Sequence, residues 1–110
     1  PYNKKYDELL NKMDIYLTQK KIKKKYIYYL PKYTRLAHKN KNHPDVKHLN
    51  QIKNFVMTAA NKYDFKFIDG ADFFHNRKNP LDIFHYKLPT HFNENGYKLE
   101  AKHINSFILN

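Results

Sequence analysis

Apolar residues along this chain recur at helical spacing in three stretches and run without interruption in two others. From about Tyr6 to Gln19 the positions Tyr6, Leu9, Leu10, Met13, Tyr16 and Leu17 trace one face of a helix. Asp7 and Glu8 favour its start, and the lysine run that follows favours its end, because each complements the helix dipole. A second helix opens at Pro44, a residue suited to the first helical turn, and carries the stripe Leu49, Ile52, Val56, Ala59 and Tyr63. A third runs from Asn93 to Asn110, with Tyr97, Ala101, Ile104 and Ile108 as the face it should bury. Between them, Tyr26-Ile27-Tyr28-Tyr29-Leu30 is a β-branched and aromatic run stopped by Pro31, the pattern of a strand covered on both faces. Phe65-Lys66-Phe67-Ile68, ended by Asp69-Gly70, is a second short strand. Lys32 to His43 has mixed polarity and reads as a loop over the carboxyl end of the first strand, where loops commonly line sites. Asp72 to Lys87 reads as irregular chain with room for one helical turn.

Strands separated by a helix of about twenty residues imply a crossover connection and parallel pairing, so the fold class is α/β, a three-layer αβα sandwich in part. Two strands cannot complete such a sheet, because the outer backbone N–H and C=O groups of each need partners. The chain therefore reads as a single domain over residues 1–110 that is the C-terminal part of a larger one, or as one whose remaining strands come from another chain. A strand hidden in Lys32 to Lys41 or Phe73 to Tyr86 is the third possibility.

The most distinctive stretch is Pro89-Thr90-His91-Phe92-Asn93-Glu94-Asn95-Gly96-Tyr97-Lys98-Leu99-Glu100-Ala101. Asn93 has the side chain of an N-cap and Glu94 puts negative charge on the first turn, so His91 is held two residues ahead of a rigid helix. A histidine fixed there is placed for proton transfer. This block resembles the last conserved block of the SGNH (GDSL-type) ester hydrolases and their acyltransferase relatives. The resemblance implies a flavodoxin-like fold of which this chain is the C-terminal half, with His91 as the general base of a Ser-His-Asp triad and Gly96 as the block's glycine. It also implies that the first strand, the nucleophile and the oxyanion-hole loops belong to an earlier half. The substrate implied is an ester borne on a carbohydrate or a lipid. Where the family has an aspartate three residues before the histidine this chain has Leu88, and the variant spacing of two falls on Pro89.

The side-chain inventory sharpens this expectation. A Ser-His mechanism needs an exposed serine within reach of the imidazole and backbone donors for the oxyanion. The one serine is Ser106, deep in the C-terminal helical stripe with no glycine beside it, which reads as a polar surface position. Thr90 adjoins His91, but neighbours in an extended loop point apart. The nucleophile is therefore expected outside this chain. Asp82 is the nearest upstream carboxylate that could orient the ring, while Asp69 and Asp72 follow a strand and read as turn and cap residues.

Seven histidines, His38, His43, His48, His75, His85, His91 and His103, show no pair at the spacing of a zinc-binding helix, and there is no cysteine. Neither a metal nor any other cofactor is expected, and with Gly70 and Gly96 as the two glycines no phosphate-cradling loop exists. The formal net charge of +11 attracts polyanions, but only Arg35 and Arg77 among the 21 basic residues are arginine, which argues against sequence readout of bases. The densest run, Lys20-Lys21-Ile22-Lys23-Lys24-Lys25, reads first as a solvated helix end and second as a phosphate-binding patch beside Tyr26, Tyr28, Tyr29 and Tyr33. The alternative function is thus a basic, non-catalytic module that binds nucleic acid or a large anionic assembly. No stretch approaches the roughly 20 apolar residues of a membrane span, so a soluble domain is expected, in the cytoplasm or the cell envelope.

Overall fold

The structure, a computed structural model, describes residues 2–109, with side chains placed from Lys4 onward. The elements in chain order are α1 (Tyr2–Gln19), β1 (Tyr26–Tyr29), α2 (Tyr33–Ala37), α3 (Pro44–Lys62), β2 (Lys66–Asp69), α4 (Gly70–His75), 3-10 turns at Pro80–Ile83 and His85–Lys87, and α5 (Glu94–Ile108). The fold is mixed α/β, mostly helical, with β1 and β2 paired in parallel. Asn110, the expected end of the last helix, lies outside the described residues. The chain divides into two compact units, residues 1–27 with 48–67 and residues 28–47 with 68–110.

The first unit packs α1 and most of α3 around Leu10, Ala59, Ala60 and Phe65, flanked by Tyr6, Leu17, Ile27, Tyr63 and Phe67. Burial of each large apolar side chain contributes about 1.5–3 kcal/mol. The stripe expected on α3 is the one found, with Leu49, Val56 and Ala59 buried and Ile52 and Tyr63 half-buried. On α1 the packed line is narrower than the sequence suggests, since Leu9, Met13 and Tyr16 are exposed. The reason lies at Asp14, on the inward line between Leu10 and Leu17, which pairs with the Lys25 ammonium. That ammonium also donates to the Tyr63 carbonyl at 2.6 Å and stands 4.8 Å from the centroid of the Phe65 ring. A cation there complements the carboxyl end of α3. Lys25, expected in a solvated run, is thus an internal strut whose side chain is only 8 % exposed.

Both long helices of this unit end in the same way. At α1, Lys21 N–H donates to Thr18 O at 3.0 Å and Ile22 N–H to Leu17 O at 2.9 Å. At α3, Asp64 N–H donates to Asn61 O at 3.4 Å and Phe65 N–H to Ala60 O at 2.8 Å. These paired bonds are Schellman caps, and each places a non-glycine residue in the left-handed region, Lys21 at φ 60° and Asp64 at φ 63°. The cap at α3 delivers Phe65 into the core and the chain directly into β2. Phe65 is therefore the cap's apolar residue and the strand begins one position later than expected.

The second unit is built on Leu36, Phe74, Ile83, Phe84 and Phe92, with Tyr33, Phe73, Leu81 and Leu99 packed around them. Several expectations are corrected here. The stretch from Lys32 contains α2, because Arg35 and Leu36 turn inward and are buried. Asp72 to Lys87 is more regular than expected, holding α4 and the two 3-10 turns. Neither segment hides a strand among the described residues, where Phe84 and Phe92 make an isolated antiparallel bridge. The residues of β1 are all half-buried rather than covered on both faces. On α5 the packed face is turned away from the expected stripe: Tyr97, Ala101 and Ile108 are exposed, while Gly96 is buried and Leu99, Glu100, His103 and Ile104 are half-buried. Gly96 causes the turn, since the missing side chain lets the helix approach where a larger residue could not. No helix among the described residues is long and apolar enough to cross a membrane.

Substituting Lys21→Gly is expected to stabilise the chain by about 0.5–1 kcal/mol, because glycine occupies the left-handed cap position without a Cβ penalty. The midpoint of urea unfolding should rise without a change in slope.

Candidate functional site

The loop that carries His91 is fixed by Asn93. Its side-chain oxygen accepts the Gly96 N–H at 2.8 Å, the N-cap expected from sequence. Its side-chain amide donates to Asp82 O at 2.7 Å and to Phe84 O at 3.4 Å, and its backbone N–H donates to Ile83 O at 2.7 Å. One residue thus joins the start of α5 to the 3-10 turn at Pro80–Ile83. Gly96 completes the junction by close approach, for a Cβ there would lie 2.8 Å from Ile83 O and 3.0 Å from Phe92 Cβ. Its φ is negative, so space rather than backbone freedom makes glycine necessary.

Above this junction is a cavity of about 450 Å³. His91 and Pro89 form one wall, Leu30 to Tyr33 another, and Phe84, Tyr97 and Glu100 complete the lining. Of the stretch from Lys32 to His43, Lys32 and Tyr33 contribute to this lining. The His91 side chain is exposed and makes no hydrogen bond among the described residues. Its neighbour Thr90 directs its hydroxyl to the carbonyls of Leu88 and His91, both at 3.2 Å. Just upstream, Tyr86 and Lys87 both adopt left-handed backbone at φ 55° and 56°, and Tyr33 Oη donates to Lys87 O at 3.0 Å. Non-glycine residues in that region cost energy that surrounding contacts must offset.

The other residues singled out from sequence fall elsewhere. The Asp82 carboxylate is held by Arg77 Nη1 at 2.8 Å, and Asp82 reaches the His91 loop only through its backbone carbonyl. Asp69 caps α4 by accepting the Asp72 N–H at 2.9 Å, the role expected for it. Ser106 is exposed on α5 and donates to His103 O at 2.6 Å. A carboxylate that sequence reasoning passed over, Glu100, shares the cavity with His91, and burial raises its pKa. Its position one turn beyond Gly96 was the available signal, since the same side of α5 faces inward.

Next to the cavity residues, His103 stacks on Phe73 with ring centroids 3.9 Å apart, and its Nδ1 lies 2.9 Å from Tyr28 Oη. Burial lowers the His103 pKa, while burial and then the charges of Glu100 and Asp69 push the Tyr28 phenol far above its ordinary value. Both groups are therefore held neutral, and one hydrogen bond joins the Tyr28 hydroxyl to the His103 ring. Gly70 makes room for this pair, as a Cβ there would lie 2.5 Å from the Tyr28 ring.

Comparison with protein-family models, with curated proteins and with solved structures finds no match to this chain.

Replacing Gly96→Ala forces a methyl against a backbone carbonyl and is expected to destabilise the protein by about 1–3 kcal/mol, read from chemical denaturation. A pH effect follows from His103. Because its folded-state pKa lies below the ordinary 6.5, the unfolded chain binds the proton more readily. Stability from this group is whole above that value and drains as pH falls below it. His103→Phe keeps the stack on Phe73 and should flatten the loss of stability between about pH 7.5 and 5.5.

Proposed function

We propose that this chain is the C-terminal part of an SGNH-like ester hydrolase or O-acyltransferase, with His91 as the general base. The observation that carries the reading is the placement of an unpartnered imidazole in the wall of a cavity, on a loop held by Asn93 and Gly96. In this reading the serine nucleophile and the oxyanion donors come from polypeptide outside residues 1–110. That polypeptide also supplies the strands that complete a three-layer αβα, flavodoxin-like sandwich. Support for such a complement comes from β1, which is half-buried throughout, and from the exposed apolar residues Leu9, Met13 and Tyr16 of α1.

The chemistry then runs in two steps. The imidazole takes the serine proton as the hydroxyl attacks the ester carbonyl, and returns it to the departing alkoxide. The acyl group passes from the serine to water in a hydrolase, or to a sugar hydroxyl in a transferase, with the imidazole activating the acceptor. The apolar and aromatic walls at Leu30, Phe84 and Tyr97 suit an acyl chain or the face of a sugar ring. The Asp82 carboxylate, bound to Arg77, does not orient the ring; Asp82 meets the His91 loop only through its backbone carbonyl, and Glu100 is the carboxylate facing the same cavity. A second reading, a basic module for nucleic acid or another polyanion, is favoured by the cleft between Lys23, Lys24 and Lys66.

The test is hydrolysis of p-nitrophenyl acetate by the full polypeptide that contains this chain. His91→Ala is expected to lower kcat/KM by about 10²–10⁴-fold with an unchanged unfolding midpoint, because the side chain is exposed and makes no hydrogen bond. Equal activity in wild type and variant would remove His91 from the chemistry. Failure of the wild type to react with a fluorophosphonate probe would remove the serine mechanism altogether.

A further inference from the structure

A second cluster of chemically capable side chains lies at the turn between α2 and α3, built from residues that are unremarkable in the linear sequence. This turn is held firmly. His75 is buried on α4, and its Nε2 lies 2.7 Å from His38 O. The Asn40 side chain accepts the Asn42 N–H at 2.9 Å, and Asn40 O accepts the His43 N–H at 3.1 Å. Lys41 reaches across to Asn76 at 2.7 Å and to Asp72 at 3.5 Å, so its ammonium is directed away toward α4. The result is that His38 and His43 lie face to face, ring centroids 3.7 Å apart and planes within 13° of parallel.

Asp45 closes the group from the first turn of α3. Its Oδ2 lies 3.6 Å from His38 Nε2 and 3.9 Å from His43 Nδ1, and one ligand atom from each of the three residues falls within 4.8 Å of the others. Donor atoms of a tetrahedral zinc site stand about 3.3 Å apart, given metal–nitrogen bonds of about 2.0–2.1 Å. The two carboxylate spacings are already within about half an ångström of that value, and the histidines are both half-buried while Asp45 is exposed. Coordination requires the imidazoles to rotate out of their parallel stack and His43 Nδ1 to release the Asp45 N–H.

We propose that His38, His43 and Asp45 form a binding site for a borderline divalent transition metal such as Zn²⁺. Two imidazoles and one carboxylate with no thiolate suit Zn²⁺, Co²⁺ and Ni²⁺ better than Ca²⁺ or Mg²⁺, which select oxygen donors. Three protein ligands leave the remaining position to water. His43 binds through Nδ1, and so gives up the bond that this nitrogen now accepts from the Asp45 N–H at 3.1 Å. The metal thereby competes with the capping bond of α3 and faces the positive end of that helix dipole, and both weaken its binding. This site is independent of His91 and of the ester chemistry, since it shares no residue with that cavity.

The experiment uses the untagged chain, titrated with Co²⁺ in a non-coordinating buffer at neutral pH and then with Zn²⁺ in competition. One equivalent of Co²⁺ is expected to develop visible d–d absorption, displaced by Zn²⁺. His38→Ala and Asp45→Asn, which leave the His43 cap in place, should each weaken binding by at least roughly tenfold, a loss that even outer-shell changes can cause. His85→Ala, an exposed histidine outside the cluster, should bind like wild type. Circular dichroism of each variant distinguishes a lost ligand from a lost fold, and a folded His38→Ala that binds as tightly as wild type overturns the proposal. Absence of saturable binding by the wild-type chain, or equal weakening in His85→Ala, overturns it as well.

Discussion

The junction between Asn93, Gly96 and the 3-10 turn at Pro80–Ile83 is the constraint on which the second unit depends. Three backbone carbonyls, those of Asp82, Ile83 and Phe84, accept hydrogen bonds from Asn93, and Gly96 sits against the middle one. Buried backbone acceptors without partners carry a substantial desolvation cost, so this single asparagine satisfies a segment too short to satisfy itself. The same contact sets the rotation of α5, places Phe92 in the core beside Phe74 and Phe84, and leaves His91 at the rim of the cavity. Sequence, packing and site are linked through that one residue.

Polar interactions organise both units in a comparable way. In the first unit the Lys25 ammonium joins Asp14 of α1 to the carboxyl end of α3, and Lys62 and Tyr63 bind Asp7 on the same pair of helices. Asp7 is held below its ordinary pKa by hydrogen bonds from Lys62 and Tyr63, with the Lys62 charge adding to them. Being exposed, that pair contributes little, whereas the nearly buried Lys25 would leave an uncompensated charge if Asp14 were removed. In the second unit the comparable group is Tyr28 with His103, neutral at both ends and wedged against Phe73 and Gly70. The high lysine content is thus partly architectural and is not all a surface for anions.

The histidines illustrate how function can hide in a chain with ordinary spacing. His91 is marked in the sequence by the cap, the glycine and the helix that follow it in order. His38, His43 and Asp45 carry no such signature, and they meet only because His75, Asn40 and Lys41 fold the turn on itself. Metal-ligand spacing rules describe helices and knuckles of fixed geometry, so a cluster assembled by an irregular turn escapes them. A histidine pair five residues apart before Pro44-Asp45 was the sole trace available.

What the sequence determined by itself was local: two long amphipathic helices and the capped last helix, two short strands, the N-cap at Asn93, the turn role of Asp69 and the candidacy of His91. These follow from periodicity, capping chemistry and the stopping power of proline and glycine, all of which act within a few residues. The tertiary structure decided which faces those helices bury, because a stripe becomes a core only against a partner. It turned α5 inward at Gly96 rather than at Tyr97, made Lys25 internal, and folded α2 out of a stretch with weak periodicity by burying Arg35 and Leu36. It also committed Asp82 to Arg77 and gave the His91 cavity Glu100 instead. Such choices depend on contacts between residues far apart in the chain, whose complementarity no local pattern encodes.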